Sequence, residues 1–236
     1  MPPLASPPAA ESRPSFALPP GVRAVVFDVV HTLVEPWPSV PIAYQEAGRR
    51  HGIDLDPAEI QARFRAAWRR QEDLDAAGSP PFATSRGREA ERWRQIVADV
   101  FGRTGPIEGI FADLWEHFGR PETWRPVPAG RDLALAAHRA GLPIVLASNF
   151  DERLLGLAAV VEPLTLAEYV FASSELGWRK PSGEFFREVE RRLSLGPEQL
   201  LLVGDDPELD VAAARRAGWH AQPLDCEGSP VPRSRR

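Results

Sequence analysis

Cysteine occurs once in this sequence, as Cys226, and methionine once, as Met1. A single thiol excludes a disulfide framework and any thiolate zinc site built from this chain alone. Lysine and asparagine are equally scarce: Lys180 and Asn149 are the sole examples, so 27 of the 28 basic residues are arginines. Arginine replaces lysine on most surfaces, but not where a compact ammonium must fit. The retained lysine therefore marks a position worth locating. No apolar run approaches the roughly 20 residues that span a bilayer. The first twenty residues hold seven prolines and no apolar stretch. Residues 1–20 are expected to form a disordered tail rather than a signal peptide, and residues 226–236 a second tail. A cytoplasmic protein follows as the expectation. A net charge of −5 leaves no basic footprint for a dedicated nucleic-acid binder.

What is present is a chain of 236 residues, 43% of them hydrophobic. That is enough for one large core, or a core with a smaller insert. No internal repeat is found. Order should begin with Val22–Phe27, a short β-branched run suited to a buried strand. Glu35-Pro36-Trp37-Pro38 then breaks regular structure. The following stretch reads as helices only, over about 40–51, from Pro57 onward, 86–101 and 107–118. Asp56 looks like an N-cap with Pro57 at the first helical position. Ile60, Phe64 and Trp68 recur every four residues as an apolar stripe. A second proline-rich hinge runs from Pro121 to Pro128.

Beyond it, helices alternate with short apolar strands. The expected helices are 130–140, 151–160, 183–193 and 208–217, and the strands 144–147, 169–172, 200–203 and 219–223. This pattern predicts an α/β fold: a Rossmann-like parallel sheet covered by helices on both faces. The core would comprise residues 21–35 and 126–225, and residues 36–125 an inserted all-helical unit.

Sites in such sheets lie at the carboxyl ends of the strands. Those ends hold Asp28, Ser148 and Asp205-Asp206. Lys180 falls in a loop just before a helix, in Trp178-Arg179-Lys180-Pro181. An Asp after a strand is usually a turn or cap residue; the ordered set is what points to chemistry.

Four segments, Val25–Leu33 around Asp28, Leu146-Ala147-Ser148-Asn149, Lys180-Pro181, and Val203-Gly204-Asp205-Asp206 with Asp210, resemble the motifs of the haloacid dehalogenase (HAD) superfamily of hydrolases. The segments flanking Ser148 and Lys180 look closest to the haloacid dehalogenase-like hydrolase domain-containing 3 subgroup. The insert stands where that superfamily carries a C1-type helical cap. The resemblance implies that Asp28 is a nucleophile whose covalent intermediate is opened by water. Ser148 and Lys180 would neutralise the nucleophile and the transferring group. Asp28, the backbone carbonyl of Val30 and Asp205 would bind Mg2+, a hard ion suited to oxygen ligands. Asp206 and Asp210 would orient Lys180 or the metal's waters, and Asp206 doubles as an N-cap before Pro207. Thr32 would close the first loop and touch the nucleophile, and Asn149 would assist in holding substrate.

One position departs from the pattern. Phosphatases of the superfamily carry a second Asp two residues after the nucleophile, as general acid and then base. Here that residue is Val30, which implies a loss on the order of 10²–10⁴ in rate by that route. His31 adjoins it, but neighbours on an extended segment point apart, and the family usually has glycine there. Phosphonate-cleaving relatives need a cap lysine, which this chain lacks. The 2-haloacid dehalogenases use a cap arginine and no metal. Ala67-Trp68-Arg69-Arg70-Gln71 resembles that part of their cap, making Arg69 and Arg70 candidates for substrate binding; the bland alternative is a solvated helix face. Against dehalogenation stand Asp205-Asp206, where those enzymes have Ser or Asn, and Phe186, where they have Tyr. The expectation is a Mg2+-dependent phosphohydrolase acting on a small phosphorylated molecule. A metal-independent dehalogenase and a phosphate-binding pseudo-phosphatase are the alternatives.

Overall fold

The computed structural model describes residues 18–224. The expected C-terminal tail and all but the last three positions of the N-terminal one lie outside the described residues. In chain order the elements are β1 (Ala24–Phe27), β2 (Val34–Pro36), α1 (Val40–Arg50), α2 (Pro57–Ala76), α3 (Arg86–Phe101), α4 (Ile107–His117), β3 (Trp124–Pro126) and α5 (Pro128–Arg139). There follow β4 (Ile144–Ser148), α6 (Arg153–Ala158), β5 (Tyr169–Ala172), α7 (Ser173–Leu176), α8 (Gly183–Leu193), β6 (Leu200–Gly204), α9 (Ala213–Arg216) and β7 (His220–Pro223). No helix among the described residues is long and apolar enough to cross a membrane.

The main sheet has the order β5-β4-β1-β6-β7, and every pairing in it is parallel. β1 is central and buried along its whole length, which is why it reads as a continuous apolar run rather than an alternating one. Alternation appears instead in which face each side chain joins. Val25, Phe27, Leu146 and Val203 pack with Leu133 and Ala137 of α5 and Leu154 of α6. Val26, Val145 and Leu202 pack with Phe185, Phe186 and Val189 of α8 and Trp219. Full burial of one such side chain contributes about 1.5–3 kcal/mol, and Phe185→Ala would cost about 3–5 kcal/mol.

The four helices α1–α4 hold a separate core of Tyr44, Ile60, Phe64, Ile96, Val100 and Ile110. Local chemistry sets their starts. Asp56 accepts a hydrogen bond from the Ala58 N–H at 2.8 Å, and Ser85 caps α3 by accepting from the Arg88 N–H at 3.2 Å. Both remove donors that a helix start leaves unsatisfied.

The two proline-rich breaks are not independent hinges. β2 and β3 pair antiparallel, with Val34 opposite Pro126, Glu35 opposite Arg125 and Pro36 opposite Trp124. The prolines lack ladder donors, but the flanking Trp37 N–H bonds Thr123 at 2.7 Å and the Val127 N–H bonds Leu33 at 2.8 Å. The chain thus leaves and re-enters the core through one short ribbon. Two helices are also shorter than the sequence pattern suggests. α6 covers only Arg153–Ala158, and a wide π-type turn over Pro207–Ala212 precedes α9. The Val211 N–H reaches back five residues to the Asp206 carbonyl. Such wide turns recur at functional sites.

Candidate active site

Parallel strands deliver their carboxyl ends to one edge. Asp28 follows β1, Ser148 ends β4, and Asp205 follows β6. Lys180, in the loop before α8, reaches the same point. Its Nζ lies 2.7 Å from Asp28 Oδ1 and 2.5 Å from Asp210 Oδ1. Ser148 Oγ donates to Asp28 Oδ1 at 2.9 Å. Asp28, Ser148, Lys180 and Asp210 are all buried. One carboxylate oxygen of Asp28 thus receives both donors, which leaves the other without a donor of this set.

The supporting contacts explain the neighbouring residues. Asn149 clamps the backbone of Lys180 with both ends of its amide: Nδ2 donates to the Lys180 carbonyl at 2.9 Å, and Oδ1 accepts from the Lys180 N–H at 2.8 Å. One of its two N–H donors and one lone pair of its oxygen thus position the lysine, and Asn149 also lines the cavity. Thr32 does not touch Asp28 through a hydrogen bond of its hydroxyl. That hydroxyl instead donates to Asp205 Oδ1 and accepts from the Asp205 N–H, both at 3.1 Å. Asp206 Oδ1 accepts from the N–H groups of Glu208 and Leu209 at 2.8 and 2.9 Å, as a cap. Its own N–H donates to Asp210 Oδ2 at 3.1 Å. The wide turn after Pro207 thereby aims Asp210 at Lys180. Two glycines make this packing possible. A Cβ on Gly204 would overlap the Asp210 carboxyl group, and one on Gly130 would overlap the Thr32 carbonyl.

The electrostatics are lopsided. Asp28, Asp205 and Asp210 offer carboxylate oxygens within 4.8 Å of one another, against one ammonium. Burial, then the charges of Asp28 and Asp210, push the Asp205 carboxyl from 3.8 up to about 7. Burial also raises Asp210, against its ion pair with Lys180. For Lys180, burial favours the neutral amine, but Asp210 and Asp28 outweigh it and hold the ammonium above the ordinary lysine range. A buried set of hard oxygen ligands that still lacks positive charge fits a divalent cation of the Mg2+ type.

A cavity of about 170 Å3 opens from this cluster into the helical insert. Val30 and His31 both line it. The alternation expected of an extended segment fails here because His31 adopts φ 64°, a left-handed conformation that histidine tolerates better than most residues. Burial lowers the His31 pKa, against the nearby charges of Asp28 and Glu35. The arginines expected from the cap do not arrive. Arg69 and Arg70 are exposed on α2, neither lines the cavity, and Arg70 faces Asp99 at 3.7 Å. They sit on the outer face because α2 turns Ile60, Phe64 and Ala67 inward.

Three residues that sequence reasoning passed over matter here. Arg153 enters the cavity wall from α6, bound to both oxygens of Asp151 at 2.7 and 2.6 Å and to the Trp115 carbonyl at 2.7 Å. Asp151 follows the Ser148-Asn149 segment by two residues, and no role is expected of it from the sequence. Arg179, beside Lys180, is 2% exposed and bonds Glu89 of α3 at 2.6 Å. The signal for Arg179 was its place next to the sole lysine. Nothing in the local sequence marks Arg153.

The comparisons agree with this architecture. Residues 22–218 match the family model described as haloacid dehalogenase-like hydrolase. The human haloacid dehalogenase-like hydrolase domain-containing protein 3 is 27% identical over 206 residues, covering 85% of this chain and 80% of that protein. A solved defluorinating L-2-haloacid dehalogenase superimposes with a TM-score of 0.71 at 21% identity, covering 91% of this chain and 86% of its own. A structure described as a predicted phosphoglycolate phosphatase from Haemophilus somnus gives 0.61 at 15% identity, with 85% and 84% covered. Both solved neighbours share the fold, and they are described by different chemistries. With the model spanning nearly all the described residues, the chain belongs to the haloacid dehalogenase-like hydrolases.

Proposed function

We propose that this hydrolase is a Mg2+-dependent phosphohydrolase with Asp28 as its nucleophile and the α1–α4 unit as its cap. The observation that supports this most is the unbalanced cluster of Asp28, Asp205 and Asp210 around a single ammonium. Three carboxylates would repel a phosphorylated substrate unless a cation joined them. Asp28, the Val30 carbonyl and Asp205 would hold Mg2+. That ion, when bound, offsets the carboxylate charge and draws in the phosphoryl oxygens.

The chain's own groups supply the rest. Ser148 and Lys180 fix one oxygen of Asp28, so that the other is presented to phosphorus in a set direction. Asp28 attacks, the ester oxygen departs with its electron pair, and an aspartyl phosphate forms. Lys180 bears a positive charge against the transferring group, and Asp210 with Asn149 keeps it aimed. Val30 has no proton to give. The leaving group must therefore depart as its anion, which favours acyl phosphates, anhydrides and esters of acidic hydroxyls. Water then opens the aspartyl phosphate and frees Asp28.

The dehalogenase reading loses support because no arginine of the insert lines the cavity. The test is phosphate release from activated esters by pure protein. Release that requires Mg2+ and disappears in Asp28→Asn is the expected result. Halide release from 2-chloropropionate without metal, with no phosphate release, would overturn the reading.

A further inference from the structure

The insert contributes to the cavity a set of rings that pack against its own core with part of their surface and face the cavity with the rest. Trp68, Trp93, Phe111, Trp115 and Phe118 line the space, and each is partly buried rather than fully packed. They form pairs, Trp68 with Trp93 at 5.8 Å between centroids and Phe111 with Trp115 at 5.5 Å. Trp124 and Phe150 continue the wall toward Ser148, 5.7 Å apart. Arg92, Arg94 and Arg153 each cover one face, of Trp68, Phe111 and Trp115 respectively; the remaining faces and edges suit a flat apolar guest.

The same walls offer little to a polar one. Among the described residues, the cationic side chains lining the cavity are Arg153 and Lys180, with His31 the only other basic group. Lys180 is held by Asp28 and Asp210, and Arg153 by Asp151. Asn149 gives one N–H and one oxygen lone pair to the Lys180 backbone, which leaves a single N–H as its donor toward the cavity. A second anionic group on the substrate, or a row of sugar hydroxyls, would exchange water for unpaired contacts, which is costly. An independent observation converges on the same class. Val30 cannot protonate a departing alkoxide, whereas an aryloxide leaves as the anion.

We propose that the substrate is a phosphate monoester of an aromatic hydroxyl, its ring held among the tryptophans and phenylalanines of the insert. This rests on the phosphohydrolase reading above and names the class that the site takes. In the first step an Asp28 oxygen bonds to phosphorus, and the phosphorus–aryl oxygen bond breaks. The electron pair leaves on the aryloxide, which takes a proton from solvent. In the second, water bonds to phosphorus, the Asp28–phosphorus bond breaks, and the water's proton passes to solvent.

The test compares three esters with Mg2+: 1-naphthyl phosphate, glucose 6-phosphate, and acetyl phosphate. Acetyl phosphate has the better leaving group but no ring, so it separates ring binding from leaving ability. The expected result is a kcat/KM for naphthyl phosphate at least about tenfold above either of the others, a discrimination within reach of an apolar pocket. Phe111→Ala should lose about tenfold more on naphthyl phosphate than on acetyl phosphate. Binding is read separately, by quenching of tryptophan fluorescence with 1-naphthylphosphonate, which cannot turn over. Equal or better turnover of acetyl phosphate or glucose 6-phosphate, or no quenching, overturns this inference while the phosphohydrolase stands. No phosphate release from any of the three overturns both.

Discussion

Two buried charge clusters lie side by side in this molecule, joined by consecutive residues. Arg179 belongs to the first, with Arg88 and Arg92 facing Glu72, Asp75 and Glu89 between the insert and the sheet. Lys180 belongs to the second, facing Asp28, Asp205 and Asp210. The first balances three cations against three anions. The second sets one cation against three anions. The carboxylates respond in opposite directions. Burial would raise Glu89, but Arg179 and Arg92 outweigh it and hold its pKa below the usual range. Burial raises Asp205 and its neighbours raise it further, to about 7. A cluster that only fastens two parts together is neutralised from within. The one at the strand ends leaves its deficit for something that binds.

Four experiments would break or sharpen this contrast. The largest effect belongs to the reacting group: Asp28→Asn should cost at least about a thousandfold in phosphate release, while urea denaturation shows no loss of stability because a crowded charge has gone. Next comes the balanced cluster. Glu89→Gln takes from the buried Arg179 its shortest ion pair and leaves it Asp75 at 3.4 Å and Glu72 at 3.6 Å, so the cost should reach at most about 3–5 kcal/mol, that of a broken buried pair. Equilibrium unfolding measures it, and a loss below about 1 kcal/mol would mean the cluster is not what fastens the insert.

The third concerns pH. The folded chain keeps the Asp205 proton up to about pH 7, whereas the unfolded chain releases it near 3.8. The contribution of Asp205 to metal-free stability should therefore be fully present below the unfolded value and be lost as pH rises from about 4 to about 7, read as the difference between the parent and Asp205→Asn. Added Mg2+ should raise the Tm more at about pH 8 than at about pH 5. An equal rise at both would separate the cation from this cluster. The smallest effect is expected at His31. His31→Gly suits the left-handed backbone there and should change turnover of an aryl phosphate by less than about threefold. A hundredfold loss, within the range of general acid–base catalysis, would show that His31 moves the proton Val30 cannot.

Much of the core could be read from the chain. Apolar strands ending in Asp28, Ser148 and Asp205 announce a parallel sheet with its site at one edge, because strand burial and strand ends are local signals. The ammonium was found by scarcity, through the sole lysine. What failed was long-range. The β2–β3 ribbon pairs residues some ninety positions apart, and its prolines read as breaks. The Arg69 and Arg70 positions depend on which way α2 is turned, set by packing against α3 and α1 rather than by the local motif. Thr32 was expected beside Asp28 and bonds Asp205 instead, because that choice lies between two adjacent strands. Arg179 and Glu89 are ninety residues apart, and only the folded insert reveals them as partners.

The most direct test of the central claim, that a cation completes the carboxylate-rich cluster, is phosphate release from 1-naphthyl phosphate before and after chelation of divalent ions. The account predicts release that stops on chelation, returns with added Mg2+ and is absent in Asp28→Asn at every Mg2+ concentration. Release that continues unchanged in the chelated protein would contradict it.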